Sequence, residues 1–239
     1  MSRFQQCILS DQSDVLVNSN CDRYAMARCS PISLLCCALI YQLCQQKGSK
    51  VLFFFCGMHN VPDARLAGPV GLVKCLIAQL LVAEQFDLHF LSLGLREQEL
   101  YADNLQVLCE TLRELVVQKP GIVLFCIIDG ASLFETREWS AEMEFVVLRL
   151  ASMVADRSIG ATFKLLITSP GVNRTIKCHP TELSNLSPGS KWSDGVSQRE
   201  DFSCGKSLLW MKSISRDKSL THIIIRQSFW LQANTRADI

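Results

Sequence analysis

The sequence predicts an α/β fold: a three-layer α-β-α sandwich around a parallel sheet, followed by an irregular C-terminal tail. Apolar residues run without interruption through 51–56 and 121–128, which is typical of strands covered on both faces. Amphipathic helical segments separate the strand segments throughout 11–171, and this order favours a doubly wound sheet. Residues 172–239 lack a sustained period and are rich in Pro, Ser, Gly and Asn at 181–198. That composition predicts a partly disordered tail.

The first predicted unit is a strand at 14–18, a polar loop, and a helix that starts at Pro31 and has its apolar residues within 32–46. Ser30 is the predicted N-cap of this helix and Pro31 its first residue, because a serine hydroxyl satisfies free backbone amides and proline needs none. Strand, loop and helix is the order that a phosphate-binding loop requires.

The later elements follow from hydrophobic spacing and from Pro and Gly boundaries. They are, in order, a strand at 51–56, a helix at 70–84, a short strand at 87–93, a helix at 97–118, a strand at 121–128, a helix at 137–156 and a strand at 162–168.

Asp129 ends the most apolar of these strands and is followed by Gly130. In open α/β sheets, ligands bind beyond the carboxyl ends of the strands, where an acid can hold hydrated Mg²⁺ beneath nucleotide phosphates. The pattern is that of a Walker-B strand, with Asp129 as the catalytic and metal-binding residue. A simple turn after a core strand explains the same two residues.

The matching phosphate loop is missing. A working loop needs Gly-x-x-x-x-Gly-Lys-[Ser/Thr] between the first strand and its helix, but residues 19–29 contain neither glycine nor lysine. The groups best placed to approach a nucleotide are the Ser30 and Ser33 hydroxyls and the Arg28 guanidinium, with Arg23 as a second cation. Thr168, at the end of the strand after that of Asp129, takes the place of a γ-phosphate sensor or forms a turn before Pro170.

Charge and cysteine content exclude several classes of function. Lys and Arg total 24 against 23 for Asp and Glu, which provides no basic surface for nucleic acid. The twelve cysteines form no CxxC pair and suggest buried thiols in a reducing compartment. With neither an apolar leader nor a membrane-spanning run, we expect a cytoplasmic protein that binds no membrane.

Taken together, these motifs resemble the NTPase domain of fungal STAND proteins, the NACHT-like signalling ATPases, and in particular a group whose Walker A has degenerated. The resemblance covers 11–171. The segments that carry it are Asp-Val-Leu-Val-Asn at 14–18, Ser-Pro-Ile-Ser at 30–33, Phe-Phe-Cys-Gly-Met-His at 54–59, Gly-Pro-Val-Gly-Leu at 68–72, Leu-Ile-Ala-Gln-Leu-Leu at 76–81, Phe-Cys-Ile-Ile-Asp-Gly at 125–130 and Lys-Leu-Leu-Ile-Thr-Ser-Pro at 164–170.

The resemblance implies a P-loop fold with Asp129 at the Walker-B position and Thr168 near the sensor. Ser132 and Leu133 replace the acidic pair that usually follows in NACHT proteins. Three hypotheses remain: a degenerate module for protein interaction or self-association that needs no cofactor, an active signalling ATPase that binds ATP and Mg²⁺, and a gene product without a maintained role. Loss of the glycines and the lysine favours the first.

Overall fold

The described strands form one wholly parallel four-stranded sheet in the order β1-β4-β3-β2. This computed structural model describes residues 3–19, 30–61, 66–89 and 103–169. The strands are β1 (Asp14–Ser19), β2 (Ser49–Phe55), β3 (Val123–Asp129) and β4 (Thr162–Ser169). The predicted parallel α/β sheet is confirmed, and β3 and β4 are its two internal strands.

Helices cover both faces of the sheet, so the predicted three layers are confirmed. On one face pack α3 (Gly68–Ala83), α4 (Leu105–Val117) and α5 (Ser140–Ala155). On the other face lie α1 (Arg3–Leu9) and α2 (Pro31–Cys44). Successive residues of β3 alternate between the two cores: Leu124, Cys126 and Ile128 join the first, and Phe125 and Ile127 the second. Burial on both sides explains why the strand sequences show no polar alternation.

Lys164 is the one charged residue of β4, and it is 3% exposed. Its Nζ donates hydrogen bonds to the carbonyl oxygens of Cys7 and Ser10, at the end of α1. A buried ammonium is tolerated only when such acceptors compensate for its lost hydration. Lys164 therefore ties the end of α1 to the sheet.

Among the described residues, a side chain rather than another strand bonds to the outer edge of β2 at Phe53. Gln79 of α3 accepts a hydrogen bond from the Phe53 N–H at 2.9 Å and donates one to the Phe53 carbonyl at 2.7 Å. These are the two bonds that a neighbouring strand would supply to an edge residue. The close packing of α3 also depends on Gly71, because a Cβ there would lie 2.3 Å from the Leu66 carbonyl carbon.

Two predicted elements differ from the structure. Residues 87–89 are not a strand, and the rest of the predicted 87–93 strand lies outside the described residues. The helix predicted at 97–118 begins at Leu105 in the described part of the chain, where the Asn104 side chain accepts hydrogen bonds from the backbone amides of Gln106 and Val107. The regular spacing of leucines did not reveal this boundary. Such spacing identifies the buried face of a helix, whereas the capping residue determines where the helix starts.

The predicted tail at 172–239 lies outside the described residues, so its irregular character remains a prediction. Within the described ranges, no helix has both the length and the apolar character needed to cross a membrane.

Candidate functional site

Asp129 is the last residue of β3 and lies at the carboxyl edge of the sheet. Its side chain is 4% exposed. The Ser33 hydroxyl donates a hydrogen bond to Oδ2 at 2.6 Å, and the Thr168 hydroxyl donates one to Oδ1 at 2.6 Å. The Cys36 thiol lies 3.8 Å from Oδ1 as a weaker donor. Each carboxylate oxygen thus already has a hydroxyl donor from another element of the fold.

The start of α2 delivers Ser33 to this carboxylate. Ser30 caps the helix, and Pro31 follows as its first residue. The Ser33 amide donates to Ser30 Oγ at 3.2 Å, while the Ser30 amide donates to Ser33 Oγ at 3.0 Å. This reciprocal capping box stabilises the first turn and fixes the position from which the Ser33 hydroxyl donates to Asp129.

Thr168 reaches the same carboxylate from β4, the strand next to β3. Its hydroxyl oxygen accepts a hydrogen bond from the Gly130 N–H at 3.2 Å, so its own proton is directed to Asp129. Gly130 has φ of 76°, a left-handed conformation that glycine adopts without strain. The turn after β3 therefore orients Thr168 as well as ending the strand.

Burial and hydrogen bonding act on the Asp129 carboxyl in opposite directions. Loss of hydration raises its pKa above the ordinary value, and the donors Ser33, Thr168 and Cys36 partly offset that rise. Burial and the nearby Asp129 charge also raise the pKa of the Cys36 and Cys56 thiols. Both cysteines are thus protonated thiols at neutral pH rather than reactive thiolates.

The structure brings together three of the predicted site residues, Ser33, Asp129 and Thr168. Ser30 lies one hydrogen bond further away, with its Oγ 3.1 Å from Ser33 Oγ. Arg28, like Arg23, lies outside the described residues. Sequence reasoning missed Cys36, whose only signal was its position three residues after Ser33, one turn along the same helix.

The described residues contain no cluster of three or more His, Cys, Asp or Glu side chains arranged to hold a metal ion. Asp129 is thus a single carboxylate among hydroxyls and thiols. Such a set can bind an ion only if the remaining ligands come from water or from a bound phosphate.

No protein-family model matches the sequence, and no curated protein matches it. Among solved structures, a chain in a structure of Drosophila ORC bound to AT-rich DNA and Cdc6 is similar, with a TM-score of 0.45 and 12% sequence identity. The match covers 80% of this chain and 51% of that chain, so this chain spans about half the length of the matched one. A likeness of this size assigns no function.

Proposed function

We propose that this chain is a degenerate P-loop-NTPase-like module of the fungal STAND/NACHT-like type, acting in protein interaction or cytoplasmic signalling assembly without efficient nucleotide hydrolysis. The observation that carries the P-loop-like part of the proposal is the 2.6 Å hydrogen bond between Ser33 and Asp129. In P-loop NTPases the loop Ser or Thr and the Walker-B Asp together hold Mg²⁺, so this contact supports aligning the two motifs.

That alignment shows which residues of this chain occupy the positions of the phosphate-binding motif. With Ser33 as the hydroxyl of Gly-x-x-x-x-Gly-Lys-[Ser/Thr], Ile32 occupies the lysine position, Pro31 the second glycine and Met26 the first. Isoleucine provides no charge for the β and γ oxygens, and proline provides no amide for a phosphate. The isoleucine removes the positive charge that would contact the phosphates, and the proline removes a backbone amide that would bind them.

The hydrogen bonding of Asp129 supports the same proposal. Both of its oxygens accept short hydrogen bonds from protein hydroxyls, and Mg²⁺ binding would compete with the Ser33 donor. The described residues therefore fit a structural hydrogen-bond network better than a MgATP site. In this role Asp129 joins α2, β3 and β4 and rigidifies the edge of the sheet.

An active STAND-type ATPase is the second candidate, and the same contact favours it. A serine hydroxyl and an aspartate within hydrogen-bonding distance are the two protein ligands that Mg²⁺ needs beneath a triphosphate. In this alternative Asp129 organises the metal, Thr168 senses the γ-phosphate, and Arg28 takes over the charge of the missing lysine.

Thermal unfolding with and without MgATP separates the two candidates. At 5 mM nucleotide, a site with a Kd of about 50 μM would stabilise the fold by ~2.7 kcal/mol, which is a rise in Tm of roughly 5 to 10 °C for a domain of this size. We expect a rise below about 1 °C, matching MgCl₂ alone. A large rise that Asp129→Asn abolishes would establish MgATP binding at Asp129 and contradict the loss of the phosphate grip.

The interaction half of the proposal needs its own measurement. Sedimentation velocity of the full chain from about 1 to 100 μM tests for self-association, since a specific interface should populate a discrete larger species. A mass that stays monomeric throughout that range would exclude self-association and leave a partner protein as the remaining form of the proposal.

A further inference from the structure

Helix α2 differs from an ordinary surface helix because its outer side carries no charge. Residues 30–46 include no Asp, Glu, Lys or Arg. Leu34 and Leu35 point outward and are 42% and 44% exposed, and Ala38 and Tyr41 extend this side as half-buried residues. A solvent-facing helix side normally carries charged residues, so the uncharged α2 outer face (Leu34, Leu35, Ala38, Tyr41 and the exposed Gln42) is suited to being covered.

The size of this face argues against a second copy of the chain as its cover. A helix of 14 residues is about 21 Å long and its side about 10 Å wide. It therefore offers on the order of 200 Å², against the ~800 Å² per partner that a stable dimer needs. A segment of the same chain needs much less area, because a tether provides an effective concentration in the millimolar range.

The chain leaves the described fold beside the start of α2. Thr168, next to the last residue of β4, and Ser33, in the first turn of α2, donate to the two oxygens of the same carboxylate. From Ser169, 37 residues at 170–206 precede the next apolar run. A stretch of that length can span at most ~120 Å, so it is long enough to reach any point on α2.

The sequence beyond this linker contains two apolar runs. Residues 207–214 read Ser-Leu-Leu-Trp-Met-Lys-Ser-Ile, and residues 220–231 read Leu-Thr-His-Ile-Ile-Ile-Arg-Gln-Ser-Phe-Trp-Leu. The other apolar stretch outside the described residues, 90–102, joins α3 to α4. Both of those helices pack on the opposite face of the sheet, so that stretch starts and ends on the wrong side to cover α2.

We propose that residues 207–231 dock onto the α2 outer face within the same molecule. The contact covers Leu34 and Leu35 and places the C-terminal part of the chain over the helix whose first turn binds Asp129. The contact does not depend on whether the chain binds nucleotide.

Hydrogen–deuterium exchange of the full chain tests the proposal. Leu34→Lys combined with Leu35→Lys should raise exchange at 207–231 by about tenfold or more, because the amides lose a protected state. The control combines Leu81→Lys with Leu88→Lys, which are also exposed at 37% and 43% and belong to α3 and the segment just after it. It should leave exchange at 207–231 unchanged.

A second variant changes the other side of the proposed contact, because the new charges on α2 could disturb the fold. Trp210→Ser with Ile224→Ser alters only the docking segment and should raise exchange in α2 while leaving α3 unchanged. Exchange at 207–231 that is fast in the unmodified chain, or that is the same in all variants, overturns the proposal. Protection that grows with protein concentration also overturns it, because it indicates a second copy.

Discussion

Replacing Ser33 by alanine tests whether the contact with Asp129 stabilises the fold. The Ser33 hydroxyl donates to the Asp129 carboxylate at 2.6 Å and accepts from the Ser30 amide at 3.0 Å. A buried hydrogen bond to a charged group contributes about 1.5 to 3 kcal/mol, and loss of a capping contact costs roughly 0.5 to 1 kcal/mol. Ser33→Ala should therefore lower the free energy of unfolding by ~2 to 4 kcal/mol.

Urea unfolding measures this loss directly as a shift in midpoint at constant m value. Ser152→Ala is the matched control, because the Ser152 hydroxyl is exposed and bonds only to the Arg149 carbonyl within α5. Its effect should stay within about 0.5 kcal/mol.

A double-mutant cycle with Asp129→Asn isolates the pair. Because the asparagine is uncharged, Ser33→Ala should cost at least about 1 kcal/mol less in that background. If the cost is the same in both backgrounds, or if Ser33→Ala matches Ser152→Ala, the Ser33–Asp129 network is not what holds the first turn of α2.

Three further predictions concern the frame around the site. Gln79→Met should cost about 2 to 5 kcal/mol in urea unfolding, because it leaves the Phe53 N–H and carbonyl without partners; a loss under about 0.5 kcal/mol would contradict this. Gly71→Ala should cost about 3 kcal/mol or more, because the new Cβ meets the Leu66 backbone; an unchanged Tm would refute the close approach. Burial lowers the pKa of His59 to about 4, so protons bind the unfolded chain preferentially between pH 6.5 and 4. Stability should fall by up to about 2 kcal/mol as pH drops through that window, and His59→Phe should reduce the fall. An identical pH profile in the variant would be the contrary result.

Asp129 acts on the pH profile in the opposite sense. Its pKa is raised, so the folded state favours the protonated form and its contribution to stability declines as pH rises past the ordinary value. Both the unmodified protein and His59→Phe contain Asp129, so subtracting one pH profile of stability from the other cancels the Asp129 contribution.

The elements near the site could be read from the sequence because local chemistry determines them. Ser30 and Pro31 mark the start of α2 through capping, and the continuous apolar run before Asp129 marks a strand covered on both sides. The helix predicted as continuous over 97–118 is interrupted at 103–104, and residues 97–102 lie outside the described part of the chain. The apolar spacing continues on both sides of the cap residue Asn104, so the spacing did not indicate where the helix begins.

Buried polar residues inside mostly apolar segments were signals that the sequence alone did not interpret. Gln79 lies in a mostly apolar helix and Lys164 in a mostly apolar strand. Each is satisfied by backbone groups far away in the chain, the Phe53 edge in one case and the end of α1 in the other. Periodicity identifies such residues as exceptions, but it contains no information about which distant backbone atoms compensate for their burial.

The sequence by itself determined the α/β class, the parallel character of the strands and the position of Asp129 at a strand end, because burial pattern and end signals are local. Only the tertiary structure decided that Ser33, rather than Ser30, donates to Asp129, and that Thr168 occupies the other oxygen. Those partners lie 96 and 39 residues away along the chain. Their meeting depends on strand order and helix placement, which arise from packing of the whole sheet.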